Sequence, residues 1–205
     1  MNNRILALLA TTTASAIYGV NHTIAKGLMP DVIGAYGFIL LRVLGAAIIF
    51  WLISIFYPSE KIDKKDWLRM IGCAFMGMAI NMLAFFKGLS LSTPINSSVV
   101  ITLVPVLLLL LSAFFLKERI TKIKSIGIGL GLIGALILIL FGVKTQINAP
   151  NIPLGNILFI VNAIAYSVYL IMVKPLVIKY SSITLMKFFF LFAILINLPV
   201  GITQF

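Results

Sequence analysis

The chain has 205 residues, a hydrophobic fraction of 61 %, a charged fraction of only 10 % and a formal net charge of +11. A soluble domain carries about 25 % charged residues, so this composition excludes an ordinary globular fold. It also excludes a nucleic-acid binder, because a basic face needs a soluble domain to carry it.

A membrane-crossing helix needs roughly 20 apolar residues to span about 30 Å of hydrocarbon. Seven stretches meet that requirement in chain order. Residues 5–25 carry no formal charge, and residues 32–59 carry only Arg42. Residues 70–86 are uncharged and end at Lys87, and residues 88–116 follow from a Ser-Thr-Pro turn. Residues 125–143 and 145–173 are uncharged, and residues 183–199 carry Lys187 near their start. Backbone groups in lipid must satisfy one another, so these stretches predict helices. None alternates apolar and polar residues as a barrel strand does. The expected fold is an all-α polytopic transmembrane bundle.

Basic residues collect on cytoplasmic loops. With the N-terminus inside, twelve Lys and Arg, from Arg4 and Lys61 to Lys187, fall on the cytoplasmic side. Lys26, Lys87 and Lys144 fall outside, and Arg42 lies within the membrane. This predicts a multi-pass protein of the plasma (inner) membrane with a cytoplasmic N-terminus. The Ala14-Ser15-Ala16 segment resembles a signal-peptide cleavage site, but the apolar run continues to Ala25 and suits a retained helix. Cys73 stands alone, so no disulfide framework or metal cluster is expected.

The first helix holds Tyr18, Val20 and Lys26, and the sixth holds Tyr166, Val168 and Lys174, all at one offset of 148 residues. If the unit has five helices, its second copy starts on the opposite side of the membrane. Inverted repeats of this kind mark secondary transporters with a midplane site. The expected organisation is a first repeat over residues 1–144 and an incomplete second one over residues 145–205.

Further residues carry a family likeness. Phe86-Lys87-Gly88-Leu89-Ser90-Leu91-Ser92-Thr93-Pro94 is followed by Ser97-Ser98-Val99-Val100 and Leu103-Val104-Pro105-Val106. Leu116-Lys117-Glu118-Arg119-Ile120 then leads into a glycine-rich helix, Gly127 to Gly134. Together with Tyr18-Gly19-Val20-Asn21 and Leu154-Gly155-Asn156-Ile157-Leu158, this resembles the drug/metabolite transporter superfamily, specifically the EamA-like family of ten-helix carriers. The resemblance implies a carrier working by alternating access, in the exporting direction, on a small polar or amphipathic metabolite. Against ten helices, seven read as one whole repeat and two helices of its inverted copy. The chain is then a fragment or a shortened protein, with a homodimer or partner helices left open.

Polar groups in hydrocarbon are expensive and usually face the bundle interior or a water-filled path. The candidate substrate-binding residues are Tyr18, Asn21, Arg42, Asn81, Asn96, Thr102, Asn162, Tyr166 and Tyr169. Asn21 both donates and accepts. Arg42 sits about ten residues into its helix, about 15 Å from the end, too deep for easy snorkelling. His22 points about 100° away from Asn21 and reads as a packed side chain. Pro105 frees the carbonyl of Ile101, giving a kink or hinge. Glu118 and Arg119 read as a helix-end pair, and Gly127, Gly131 and Gly134 as a face for close internal packing.

No acid lies in a core segment, so exchange of lipophilic cations is not expected, and a neutral, zwitterionic or anionic substrate suits Arg42, Lys26 and Lys87 better. Other classes fare worse. A retinal receptor needs a midplane lysine and counter-ion, whereas Lys187 is at the edge. A non-transporting membrane subunit is the other alternative. An enzyme needs a constellation such as H-E-x-x-H, and an ATP-driven pump needs a phosphate-binding loop. No catalytic residue, cofactor or metal is expected.

Overall fold

The computed structural model describes residues 3–29, 32–116, 121–141 and 148–204. Within them the regular structure is helical, with no strand, and short turns such as residues 55–63 join the helices. The helices are α1 (Asn3–Leu28), α2 (Ala35–Ser54), α3 (Trp67–Ala74), α4 (Asn81–Leu91), α5 (Pro94–Ile101), α6 (Val104–Leu116), α7 (Lys122–Phe141), α8 (Ile152–Lys179) and α9 (Ser182–Gly201). A six-residue π-helical segment, Phe75–Ile80, joins α3 to α4 into one rod. A short break at Thr102 and Leu103 bends α5 into α6. Seven rods result, as the apolar stretches predict.

Five stretches are long and apolar enough to cross a membrane: Ala35–Ser54, Lys64–Leu91, Pro94–Phe115, Ile152–Lys179 and Ser182–Gln204. The α1 helix has the length, 26 residues, but carries Thr11-Thr12-Thr13, Ser15, Asn21 and His22. The described apolar part of α7 is the shorter stretch Ile123–Gly134.

Local chemistry sets the helix starts. Thr93 caps α5 by accepting from the Asn96 amide at 3.2 Å, with Pro94 in the first turn. Asn151 caps α8 from the Leu154 amide at 3.2 Å. Ser181 caps α9 from the Thr184 amide at 3.2 Å. These side chains satisfy amides that the helix itself leaves open. Consequently α8 begins at Ile152 rather than at residue 145, and it runs through Pro175 to Lys179.

The core lies between α2, α9, the α3–α4 rod and α8, which is the central helix. Phe159, Phe189, Ile39, Leu89 and Leu185 are fully buried there. Backbones come closest where α4 meets α8. A Cβ on Gly88 would stand 3.0 Å from the Gly155 carbonyl oxygen, and one on Gly155 would stand 2.8 Å from the Gly88 carbonyl oxygen. The expected glycine face of α7 is mostly open: Gly131 lies against Val106 and Leu103, while Gly127 and Gly134 have nothing near. Glu118 and Arg119 lie outside the described residues.

Both ends of the bundle are tied. At one, Lys179 forms ion pairs with Asp63 and, at 2.6 Å, with Asp66. The Tyr180 hydroxyl donates to Asp66 at 2.7 Å, and the Ser181 amide donates to Glu60 at 2.9 Å. At the other, Lys26 donates to the carbonyls of Leu89 and Ser90, and the Asn151 amide to that of Leu91. The α1 helix therefore runs toward the end from which α8 departs, and the two have opposite directions.

Candidate functional site

A cavity of about 490 Å³ opens between α1, the α3–α4 rod, the α5–α6 bend and α8. Thr11, Ser15 and Tyr18 line it from α1, Asn81 from the start of α4, and Asn162 and Tyr166 from α8. Ile101 and Val104, on either side of the bend, form its apolar wall. A smaller pocket of about 70 Å³ shares Tyr18, Asn81 and Asn162 and adds Asn21, Arg42 and the rings of Phe85 and Phe86. Six of the nine sequence candidates thus line two spaces with three walls in common.

The π segment explains why Asn81 sits there. Its wide turn ends at Ile80, and π turns recur at functional sites. Asn81 Nδ2 donates to the Asn162 carbonyl at 3.3 Å, and Asn162 Nδ2 returns a bond to the Asn81 carbonyl at 2.9 Å. This reciprocal pair fixes α4 against α8. Each amide has its nitrogen engaged, so each presents its oxygen as an acceptor.

Arg42 is the eighth residue of α2, which begins at Ala35, so it lies about 10 Å along the helix. That is shallower than the sequence predicts, because the helix starts at Ala35 rather than at residue 32. Its Nη1 donates to Asn21 Oδ1 at 2.6 Å. The guanidinium also lies over Phe86 at 5.1 Å and Phe38 at 5.9 Å. Aromatic faces attract a cation and leave part of its donor fork open. Among the described residues, Glu60, Asp63 and Asp66 all sit at one end of the bundle, so Arg42 meets no carboxylate.

Three candidates lie elsewhere. Tyr169 is buried beside the cavity, stacked on Tyr166 at 5.9 Å and packed against Gly77. Asn96 joins a separate network, in which Asn96 Nδ2 and the Ser92 hydroxyl both donate to Asn156 Oδ1, at 3.2 and 2.9 Å. Thr102 donates to the Val99 carbonyl at 2.6 Å and faces α7 in another cleft. Its hydroxyl faces away because Ile101 and Val104 take the cavity side of the bend. His22 is packed as the sequence predicts, with Tyr18 at 4.4 Å and Phe85 at 4.9 Å. Lys26 and Lys87 do not reach the cavity: the first caps the carbonyl end of α4 and the second lies over Tyr36.

Sequence reasoning missed Thr11, Ser15 and Asn197. Residues 11, 15 and 18 fall on one helical face, a signal that was there to read. Asn197 gives none. It is buried on α9 and donates to the Ala193 carbonyl at 2.8 Å and the Met78 carbonyl at 3.4 Å. No group of three His, Cys, Asp or Glu assembles among the described residues.

Comparison with known proteins decides the family. The model of the EamA-like transporter family matches residues 5–140. The chain belongs to that family. It is 29 % identical over 202 residues to the uncharacterized transporter YetK of Bacillus subtilis, covering 97 % of this chain and 60 % of the relative. An uncharacterized transporter of Archaeoglobus fulgidus is 29 % identical over 181 residues, covering 88 % and 60 %. The chain therefore spans about 60 % of the length of these relatives. No solved structure matches it. This EamA-like chain is a multi-pass membrane protein of a transporter family.

Proposed function

We propose that this chain carries the substrate-binding half of a secondary carrier for a small polar or amphipathic metabolite, working by alternating access and in the exporting direction. The observation that carries the reading is the cavity in which Tyr18, Asn81, Asn162 and Tyr166 converge beside Arg42. Its volume is in the range of small-molecule sites, about 300–1,000 Å³.

The lining chooses among substrates. Two amide oxygens and the tyrosine hydroxyls suit a ligand that donates hydrogen bonds, and Arg42 suits an anionic group at one end. A lipophilic cation would meet no carboxylate among the described lining residues. Tyr18 and Tyr166 occupy equivalent places in the proposed repeats, residues 1–144 and 145–205, on helices of opposite direction. In this reading the site lies between the two proposed repeats, and rocking of one against the other would expose it alternately. The twelve-to-three bias of basic residues supports a plasma-membrane orientation with the N-terminus inside.

The test is counterflow in proteoliposomes loaded with a mixture of amino, carboxylic and neutral metabolites. Uptake of at least one labelled compound is expected, with Arg42→Gln and Asn162→Ala each reducing it about tenfold, the effect of losing about 1.4 kcal/mol of binding. Counterflow of a quaternary ammonium dye, unaffected by both substitutions, would refute the reading.

A further inference from the structure

A second open groove lies away from the candidate site, at the charged end of the bundle. It measures about 710 Å³ and runs between the start of the third rod and the end of α8. Lys65, Asp66, Leu68 and Arg69 line one wall, and Met172, Pro175 and Lys179 the other.

The charges in this groove are unequally answered. Lys179 is held by Asp63 and Asp66, and Asp66 is held again by the Tyr180 hydroxyl. Lys65 and Arg69 form no ion pair among the described residues. Both are exposed, Lys65 in the tight turn Lys64–Asp66 that leads into α3 and Arg69 in the first turn of α3. Asp66 lines the groove as well and feels the charge of Lys65 besides that of Lys179, but Lys65, Arg69 and Lys179 against this one carboxylate leave the lining with an excess of positive charge.

Its other property is apolar. Leu68, between the two cations in sequence, is 82 % exposed. Met172 lies tight against α3, its Cε 2.5 Å from where a Gly72 Cβ would stand, and Pro175 adds a rigid apolar surface. Cations above an apolar trough, where apolar spans end, match a molecule with a phosphate head and hydrocarbon tails. Basic pockets between membrane helices bind such headgroups.

We propose that this groove is a binding site for an anionic phospholipid, with the headgroup phosphate between Lys65 and Arg69 and an acyl chain along Leu68, Met172 and Pro175. The lipid would bridge α3 and α8 beside the Lys179 ion pairs, which tie the end of α8 to Asp63 and Asp66 in the segment leading into α3. The site is separate from the cavity at Asn81 and Asn162, and it does not depend on what that cavity carries.

Native mass spectrometry of the detergent-purified chain tests it, with dioleoyl phosphatidylglycerol, dioleoyl phosphatidylcholine and glycerol 3-phosphate titrated separately. The phosphatidylglycerol adduct is expected to form at least about tenfold more tightly than the phosphatidylcholine adduct. Glycerol 3-phosphate is expected to bind far more weakly, because it lacks the chains. Lys65→Gln/Arg69→Gln should weaken phosphatidylglycerol binding about 25-fold, roughly fivefold for each cation, and leave phosphatidylcholine binding unchanged. Lys61→Gln/Lys64→Gln, which removes equal charge beside the groove, should change it by less than about twofold. Equal affinity for both lipids, glycerol 3-phosphate binding as tightly as the diacyl lipid, or equal loss in the two double variants would each overturn the proposal.

Discussion

Substituting alanine for glycine has opposite consequences at two places in this bundle. At Gly155 the added methyl would stand 2.8 Å from the Gly88 carbonyl oxygen and 3.0 Å from the Ser92 amide nitrogen. The Ser92 Cβ stands closer still, and all three atoms are fixed by the backbone of α4 and of the turn before α5, so none can rotate aside. Overpacking costs about 1–3 kcal/mol, and backbone obstacles on two sides place this case near the top. Alanine returns about 1 kcal/mol as a better helix former. The net loss is about 2 kcal/mol, which in a chain of this size lowers the melting temperature by about 4–8 °C. At Gly127 nothing lies within 4 Å of the new methyl. Only the helix-forming gain of about 1 kcal/mol remains, and melting should rise by about 2–4 °C. The assay is thermal unfolding of Gly155→Ala and Gly127→Ala side by side in one detergent. Shifts of the same sign would refute the claim that close approach of α4 to α8, rather than glycine content, governs stability here.

Asn81→Ala and Asn162→Ala should each cost about 0.6 kcal/mol, and the double variant should cost their sum, because each side chain bonds the other's backbone and that backbone survives. A coupling above about 1 kcal/mol in thermal or denaturant unfolding would show that the two amides act on one another instead. At the charged end, the Ser181 amide donates to Glu60 and holds its carboxyl below the ordinary value of 4.5. A depressed carboxylate contributes stability that is full above 4.5 and is lost as pH falls through the folded value. The melting difference between wild type and Glu60→Gln should therefore hold at neutral pH and vanish in acid; a difference that grew in acid would reverse the assignment. For orientation, a membrane-impermeant maleimide added to intact cells should label Asn148→Cys and spare Lys61→Cys, with buried Cys73 silent. Labelling of Lys61→Cys alone would invert the topology.

Much of the fold could be read from the sequence because lipid leaves the backbone few options. Seven apolar stretches became seven rods, and the errors are at their edges. Gly88 was assigned to the fourth stretch because Lys87 looked like a boundary. The structure keeps both in α4, since Ser92-Thr93-Pro94 supplies the real stop and Lys87 reaches Tyr36. The stretch drawn from residue 145 starts too early because residues 145–151 are uncharged although mostly polar, and the Asn151 cap sets the true first turn. The site was legible where it depends on one helix, as in the stripe of Thr11, Ser15 and Tyr18. It was not legible where two helices must be in register. That Asn81 faces Asn162 while Asn96 faces Asn156 follows from how α4, α5 and α8 meet, which no single periodicity encodes. Lys26 misled for a related reason: its charge is answered by carbonyls of another helix, and carbonyls are invisible in a sequence.

The wide turn at Phe75–Ile80 has a consequence for chain length. A π segment absorbs one residue more than an α-helix needs to cover the same rise, and the residues on either side keep their faces. Within this turn the Met78 carbonyl accepts from Asn197 Nδ2, which reaches across from α9 at 3.4 Å. A chain of the same fold lacking one residue between Cys73 and Asn81 could keep Met70 in the core and Asn81 at the cavity. It would lose the turn that brings the Met78 carbonyl to Asn197, whose amide would keep its bond to the Ala193 carbonyl.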